Sequence, residues 1–194
     1  MQGPIREIFL RHEMEKKYNL YLQHAHHELP KQHAMVKIEG TAHIMSATEL
    51  EQLALLGRKI VPTTWMSSPH EETLVPMEYT TIPLDSQQYL DPPAAFLTDL
   101  FNVLRSTKCA GVLGLDDQTE QSWTEVTIGN ASVVIYHDHE KMMPNAPADS
   151  YIPVSFGFDG KTEGYTAHGR CKKNHRHTSK PSPPPPPPPG NPAK

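Results

Sequence analysis

Cysteine is scarce. Cys109 and Cys171 are the only two in 194 residues, which excludes the disulfide framework that holds small secreted domains together. Long apolar runs are missing as well. None approaches the roughly 20 residues a bilayer-spanning helix needs, and Arg6, Arg11, His12, Glu13 and Glu15 interrupt any signal-peptide core at the N-terminus. Acidic residues stop at Glu163: the chain up to there carries 12 basic against 22 acidic residues, and the remainder carries six basic ones and no acid. An acidic body is poorly suited to covering phosphates, so neither nucleic acid nor a membrane is expected as a partner. No Gly-rich phosphate loop, nucleophile elbow, HExxH or EF-hand pattern occurs, so catalytic residues stay unassigned and no cofactor-binding loop is read. These absences describe a soluble intracellular chain, cytoplasmic with access to the nucleus.

Histidine, by contrast, is abundant. Three His-x-His pairs stand out: His24-Ala25-His26, His137-Asp138-His139 and His175-Arg176-His177. Twelve scattered histidines would give about 0.7 such pairs by chance. On a strand, both imidazoles of a pair project from one face, about 7 Å apart. Neutral imidazoles bind divalent transition metals, so His24, His26, His137 and His139 form the candidate metal set, with such a metal as the one cofactor expected. Cys171 lies in a run rich in histidine and cations, from His168 to His177. Its thiol and nearby imidazoles are zinc ligand types, but no second paired set accompanies them. Strand alternation reads Cys171 as a buried structural cysteine beside Tyr165 and Ala167, with His168 and Arg170 outward.

The remaining pattern specifies elements. Pro4 to Lys17 reads as a helix with Ile5, Ile8, Phe9 and His12 on one face, ended by a left-handed Asn19. Leu20 to His26 alternates as a strand. Met35 to Ile44 reads as another, with Gly40 as a bulge. Ser46 and Glu49 form a capping box, with Met45 and Leu50 as staple, Leu53 and Leu56 extending the apolar face and Gly57 as terminator. Ile60 to Met66 and Thr73 to Ile82 read as strands that Pro62 and Pro76 push toward sheet edges. Asp91 caps a helix that Pro92 enters, and Phe96, Leu97, Leu100, Phe101 and Leu104 form its apolar stripe. Ala110 to Leu115, Trp123 to Ile128, Ala131 to Tyr136, Tyr151 to Phe158 and Gly164 to Cys171 complete the strands, with Gly129-Asn130 and Asp159-Gly160 as turns. The expected fold is α+β: one domain over 1–177, a mostly antiparallel sheet with two or three helices packed on one face.

From about Thr178 the composition changes. Pro183 to Pro189 is an unbroken proline run that favours an extended rod, and residues 178–194 read as a disordered tail. Lys180, Pro183 and Pro186 fit the basic-x-x-P-x-x-P pattern of an SH3 ligand, and a plain proline run also suits WW or profilin surfaces.

One sequence of marks resembles a family. A strand ending Leu22-Gln23-His24-Ala25-His26, a lone Trp65, the segment Pro76-Met77-Glu78-Tyr79, and a helix from Phe96-Leu97 through Leu100 into Gly114-Leu115 are together similar to uncharacterised small fungal proteins. Some of these sit in secondary-metabolite gene clusters. The resemblance spans most of residues 1–140 and implies a single small domain with an accessory role. It supplies no catalytic residues. The expectation is therefore an intracellular accessory protein, with a His-ligated metal protein or metal-dependent enzyme, and an interaction module using the tail, as alternatives.

Overall fold

The computed structural model describes residues 2–24, 29–68, 70, 72–87, 89–117, 122–128, 131–137, 151–158 and 166–172. Among these residues there are three helices: α1 (Gln2–Arg11), α2 (Ala47–Leu55) and α3 (Ala94–Ser106). Ten strands accompany them: β1 (Tyr18–Leu22), β2 (His33–Ile38), β3 (Thr41–Ser46), β4 (Arg58–Ser67), β5 (Leu74–Pro83), β6 (Leu113–Asp117), β7 (Ser122–Ile128), β8 (Ala131–His137), β9 (Tyr151–Gly157) and β10 (Thr166–Lys172). None of the described helices is long and apolar enough to cross a membrane.

The strands form a closed barrel in the order β1-β6-β4-β5-β2-β3-β8-β7-β10-β9, and β9 pairs back onto β1 through Leu20↔Phe156 and Tyr21↔Ser155. This overturns the expected α+β layer. There is no open sheet with helices on one face; the helices lie outside the barrel in two places. α1 and α3 cover β1, β4 and β6, where Ile5, Phe9, Phe96, Leu100 and Leu104 pack on Tyr18, Trp65 and Leu115. α2 covers β2 and β5, with Leu50 on Ala34, Val36 and Tyr79. Alternation in the strands shows that one face is apolar. It does not show whether the other meets solvent or a lumen, and here it meets a lumen.

Local chemistry accounts for the elements and for four local differences. The capping box at α2 forms as expected: the Ser46 amide donates to Glu49 Oε2 at 2.7 Å, the Glu49 amide donates to Ser46 Oγ at 3.4 Å, and Gly57 follows with φ +73°. Leu56, however, is exposed rather than part of the apolar face. Gly40 is not a bulge. Glu39 (φ 50°) and Gly40 (φ 80°) are both left-handed and make the two-residue turn of the β2–β3 hairpin, matching strand twist. Asn19 does not end α1; Glu13 (φ 56°) does so, and Asn19 is fully buried in β1. At α3 the cap position is Pro93, without a side-chain cap. Asp91 instead accepts a hydrogen bond from the Tyr89 hydroxyl at 3.1 Å.

Closure leaves the two prolines no free edge. Pro62 lies outside the Thr64–Met66 stretch that β4 pairs with β6, and Pro76 outside the Glu78–Thr80 stretch that β5 pairs with β2. Each therefore meets only one ladder, so its missing N–H interrupts nothing on the other side. Two pairs, β2·β5 and β7·β10, are parallel; the remaining pairs are antiparallel. The expected tail, 178–194, and the Gly129-Asn130 and Asp159-Gly160 turns lie outside the described residues.

Candidate functional site in the barrel lumen

Strand parity sends polar side chains inward. On β1, Tyr18 and Leu20 join the cluster beneath α1 and α3, so Asn19 and Tyr21 face the other way. On β6, Leu113 and Leu115 join the same cluster, and Asp116 faces inward. Contacts across the barrel establish the lumen independently. Lys37 of β2 lies over the Trp123 ring of β7 at 5.9 Å, although β3 and β8 stand between those strands around the wall. Gly169 makes room for that ring: a Cβ there would fall 2.3 Å from Trp123 Cζ2.

A carboxylate-rich layer surrounds Lys37. Its Nζ is 2.9 Å from Glu78 Oε2, and the Thr64 hydroxyl bridges Glu78 Oε2 at 3.3 Å and Asp116 Oδ1 at 3.2 Å. Burial alone would push the Lys37 ammonium down, but the charges of Glu78, Asp116 and Glu125 outweigh it and push it up. Burial pushes Asp116 up to about 8, against the pull of Lys37 and with a further push from Asp117. Asp117, half-buried, is pushed up to about 6 by desolvation, against the pull of Lys37. Tyr21 is raised as well, first by burial and then by Glu78, Glu125 and Asp116.

The second layer is a triad. His24 just past β1, Glu125 on β7 and Cys171 on β10 place one ligand atom each within 4.8 Å of one another. His24 and Glu125 side chains are 6% and 7% exposed and Cys171 is fully buried. His24 Nδ1 lies 2.8 Å from the Leu22 carbonyl, which requires the Nδ1–H tautomer and directs Nε2 into the lumen. Nε2 stands 3.5 Å from Glu125 Oε2. Burial would push the His24 imidazolium down, but the Cys171 sulfur, Glu125 and the Leu22 carbonyl together raise it to about 10.

Of the four histidines expected to bind metal, the structure places one. His24 is in the triad; His26 and His139 lie outside the described residues, and of His137 only the backbone is described, opposite Ser122 on β7. Cys171 was expected to be buried with a structural role, and it is buried, but it faces His24 and Glu125. The β10 register shifts on both sides of Gly169, and the expected neighbour Tyr165 lies outside the described residues. Glu125 was missed. It shares strand parity with Trp123, and a carboxylate on the same face as that ring was the available signal. The same signal marked Asp116 after Leu115.

These observations define a class: a closed ten-stranded barrel with a polar lumen and a mixed nitrogen, oxygen and sulfur cluster inside it. No protein-family model, no curated protein and no solved structure matches the chain.

Proposed function

We propose that this protein is a metal-binding barrel in which His24 Nε2, Glu125 and Cys171 hold a divalent transition metal, zinc being the best fit. The observation that carries this reading is the convergence of three different donors on one point of the lumen. Imidazole, carboxylate and thiol together suit zinc, and three protein ligands leave a fourth position for water or substrate. The Leu22 carbonyl at Nδ1 is the outer partner that ligating histidines characteristically have.

A metal-free thiol nucleophile is the competing use of the same groups. In such a triad the thiol and carboxylate address different ring nitrogens. Here Leu22 takes Nδ1, and the carboxylate lies on the Nε2 side. That geometry favours chelation.

Elemental mass spectrometry of the untagged protein tests the reading. About one metal per chain is expected, lost in His24→Ala and in Cys171→Ser while His137→Ala leaves it unchanged. Metal-free protein that gains no thermal stability from added Zn²⁺ would overturn it. The accessory role in a secondary-metabolite pathway is supported by the Leu22–His26, Trp65 and Pro76–Tyr79 resemblance, and fits a small binding barrel. The tail reading, with Lys180, Pro183 and Pro186 engaging an SH3, WW or profilin surface, is tested by deleting 178–194. Retained partner capture after that deletion would remove it.

A further inference from the structure

We propose that the polar lumen beside Trp123 binds a small neutral polyhydroxyl compound, held by the hydroxyls of Thr63 and Ser155 and the amide of Asn19. The site uses none of the three metal ligands and does not rest on the metal reading.

Three buried polar side chains carry it. Thr63 is 5% exposed, and Asn19 and Ser155 are fully buried. Thr63 Oγ1, Ser155 Oγ and both amide atoms of Asn19 have no hydrogen-bond partner among the described residues. Buried polar groups are nearly always satisfied, by protein, by water or by a ligand. These three come from different strands, β4, β9 and β1, yet border one space. Thr63 lines a lumen cavity together with Asp116 and Trp123. Asn19 is the ladder partner of Asp116 and faces inward with it. Ser155 pairs with Gly169, where a Cβ would stand 2.8 Å from Ser155 Cβ and 2.3 Å from Trp123 Cζ2. The serine side chain therefore lies beside that ring.

The backbone accounts for Thr63. The β4–β5 register shifts between Pro62 and Thr64, so Thr63 has no cross-strand partner and two successive threonines turn inward. Thr64 bridges Glu78 and Asp116 with its hydroxyl, whereas Thr63 bonds neither. Gly40, in the β2–β3 turn, lines the same cavity and places it at a mouth of the barrel.

Charge selects the ligand class. Lys37 is engaged by Glu78 at 2.9 Å, Glu125 stands against His24, and Asp117 opposes Tyr18 on the outer face. Burial keeps Asp116 protonated at neutral pH. A cation thus meets no carboxylate free to hold it, and an anion meets no free ammonium; either would be desolvated without a partner. Each of the three unpartnered groups can accept a hydrogen bond and donate one. A hydroxyl does the same, so a polyol complements all three while its C–H groups meet the indole.

Glycerol is the probe, because glycerate and aminopropanediol offer the same skeleton with one end anionic or cationic. Titration of the isotope-labelled full chain tests the proposal, read at the two tryptophan indole N–H signals, which Trp65→Phe assigns. Trp123 lies at the site; Trp65 lies outside the barrel under α1 and α3 and is the internal control. Saturable movement of the Trp123 signal with glycerol is expected while Trp65 stays still, and each charged analogue should bind at least about tenfold more weakly. Thr63→Val and Ser155→Ala should each weaken glycerol binding by about threefold to tenfold, the worth of one hydrogen bond. Both changes are nearly isosteric, and an unmoved Trp65 signal verifies their fold. Dialysis against a chelator should leave binding unchanged, which separates this site from a polyol held by metal. Shifts that stay linear in glycerol or move both indoles alike are the response of a lumen filled by water alone. That result, equal or tighter binding of either charged analogue, loss of binding after chelation, or full affinity in both variants would each overturn the proposal.

Discussion

Replacing Asp116 by Asn should make the protein more stable, and increasingly so as pH rises. In the unfolded chain an aspartate ionises near pH 4. In the barrel, burial beside Asp117 and Glu78 pushes Asp116 up to about 8, despite the nearby Lys37 charge. Between those values the native state keeps a proton that the unfolded state gives up. Stability associated with this group is therefore complete below pH 4 and is lost as pH climbs toward 8. The slope is at most about 1.4 kcal/mol per pH unit for one proton. Asn mimics the neutral carboxyl and can still accept from the Thr64 hydroxyl, so the variant has no such loss. Urea unfolding at pH 5 and pH 7.5 should show the gap between variant and wild type widening by roughly 3 kcal/mol, less whatever coupling to Asp117 removes. His24, raised to about 10, loses stability above pH 6.5 in both chains and cancels in the difference. Parallel curves, with one constant gap at both pH values, would refute the reasoning: Asp116 would then be ionised in the native barrel.

The other expectations concern packing and capping. Leu100→Ala, at a fully buried position on the inner face of α3, should cost about 3–5 kcal/mol in a denaturant titration. Ser46→Ala should cost about 1 kcal/mol by removing the capping box of α2, and the same change in an Glu49→Ala background should cost little more. Gly169→Ala would thrust a methyl group against the Trp123 ring, and a loss of about 1–3 kcal/mol with a shifted tryptophan emission spectrum should follow.

Local chemistry made much of this fold readable. The α2 cap is a four-residue pattern complete in itself, and the α3 stripe repeats at helical spacing, so both emerged from short windows. Strand positions followed from alternation for the same reason. Closure did not, because it depends on β9 finding β1 across more than half the chain. Polar residues such as Lys37, Glu78 and Glu125 look alike in sequence whether they face bulk water or a lumen. The triad joins His24 to Cys171 through that long-range closure, and so the sequence offered each as a ligand type without showing that they meet. The error over Asn19 has a similar origin. Its turn-forming chemistry was visible locally, while the strand partner that overrides it, Asp116, is distant.

The seam between β1 and β9 also dictates when the molecule can exist. During synthesis β1 emerges early and acquires β6 as its neighbour, but its other ladder waits for residues 155 and 156. Until then its second edge is unpaired and open to other chains. Contacts so distant along the chain slow folding, and a ribosome stalled before β9 would release an aggregation-prone product. Chains truncated anywhere before Tyr151 should depend on chaperones to stay dispersed.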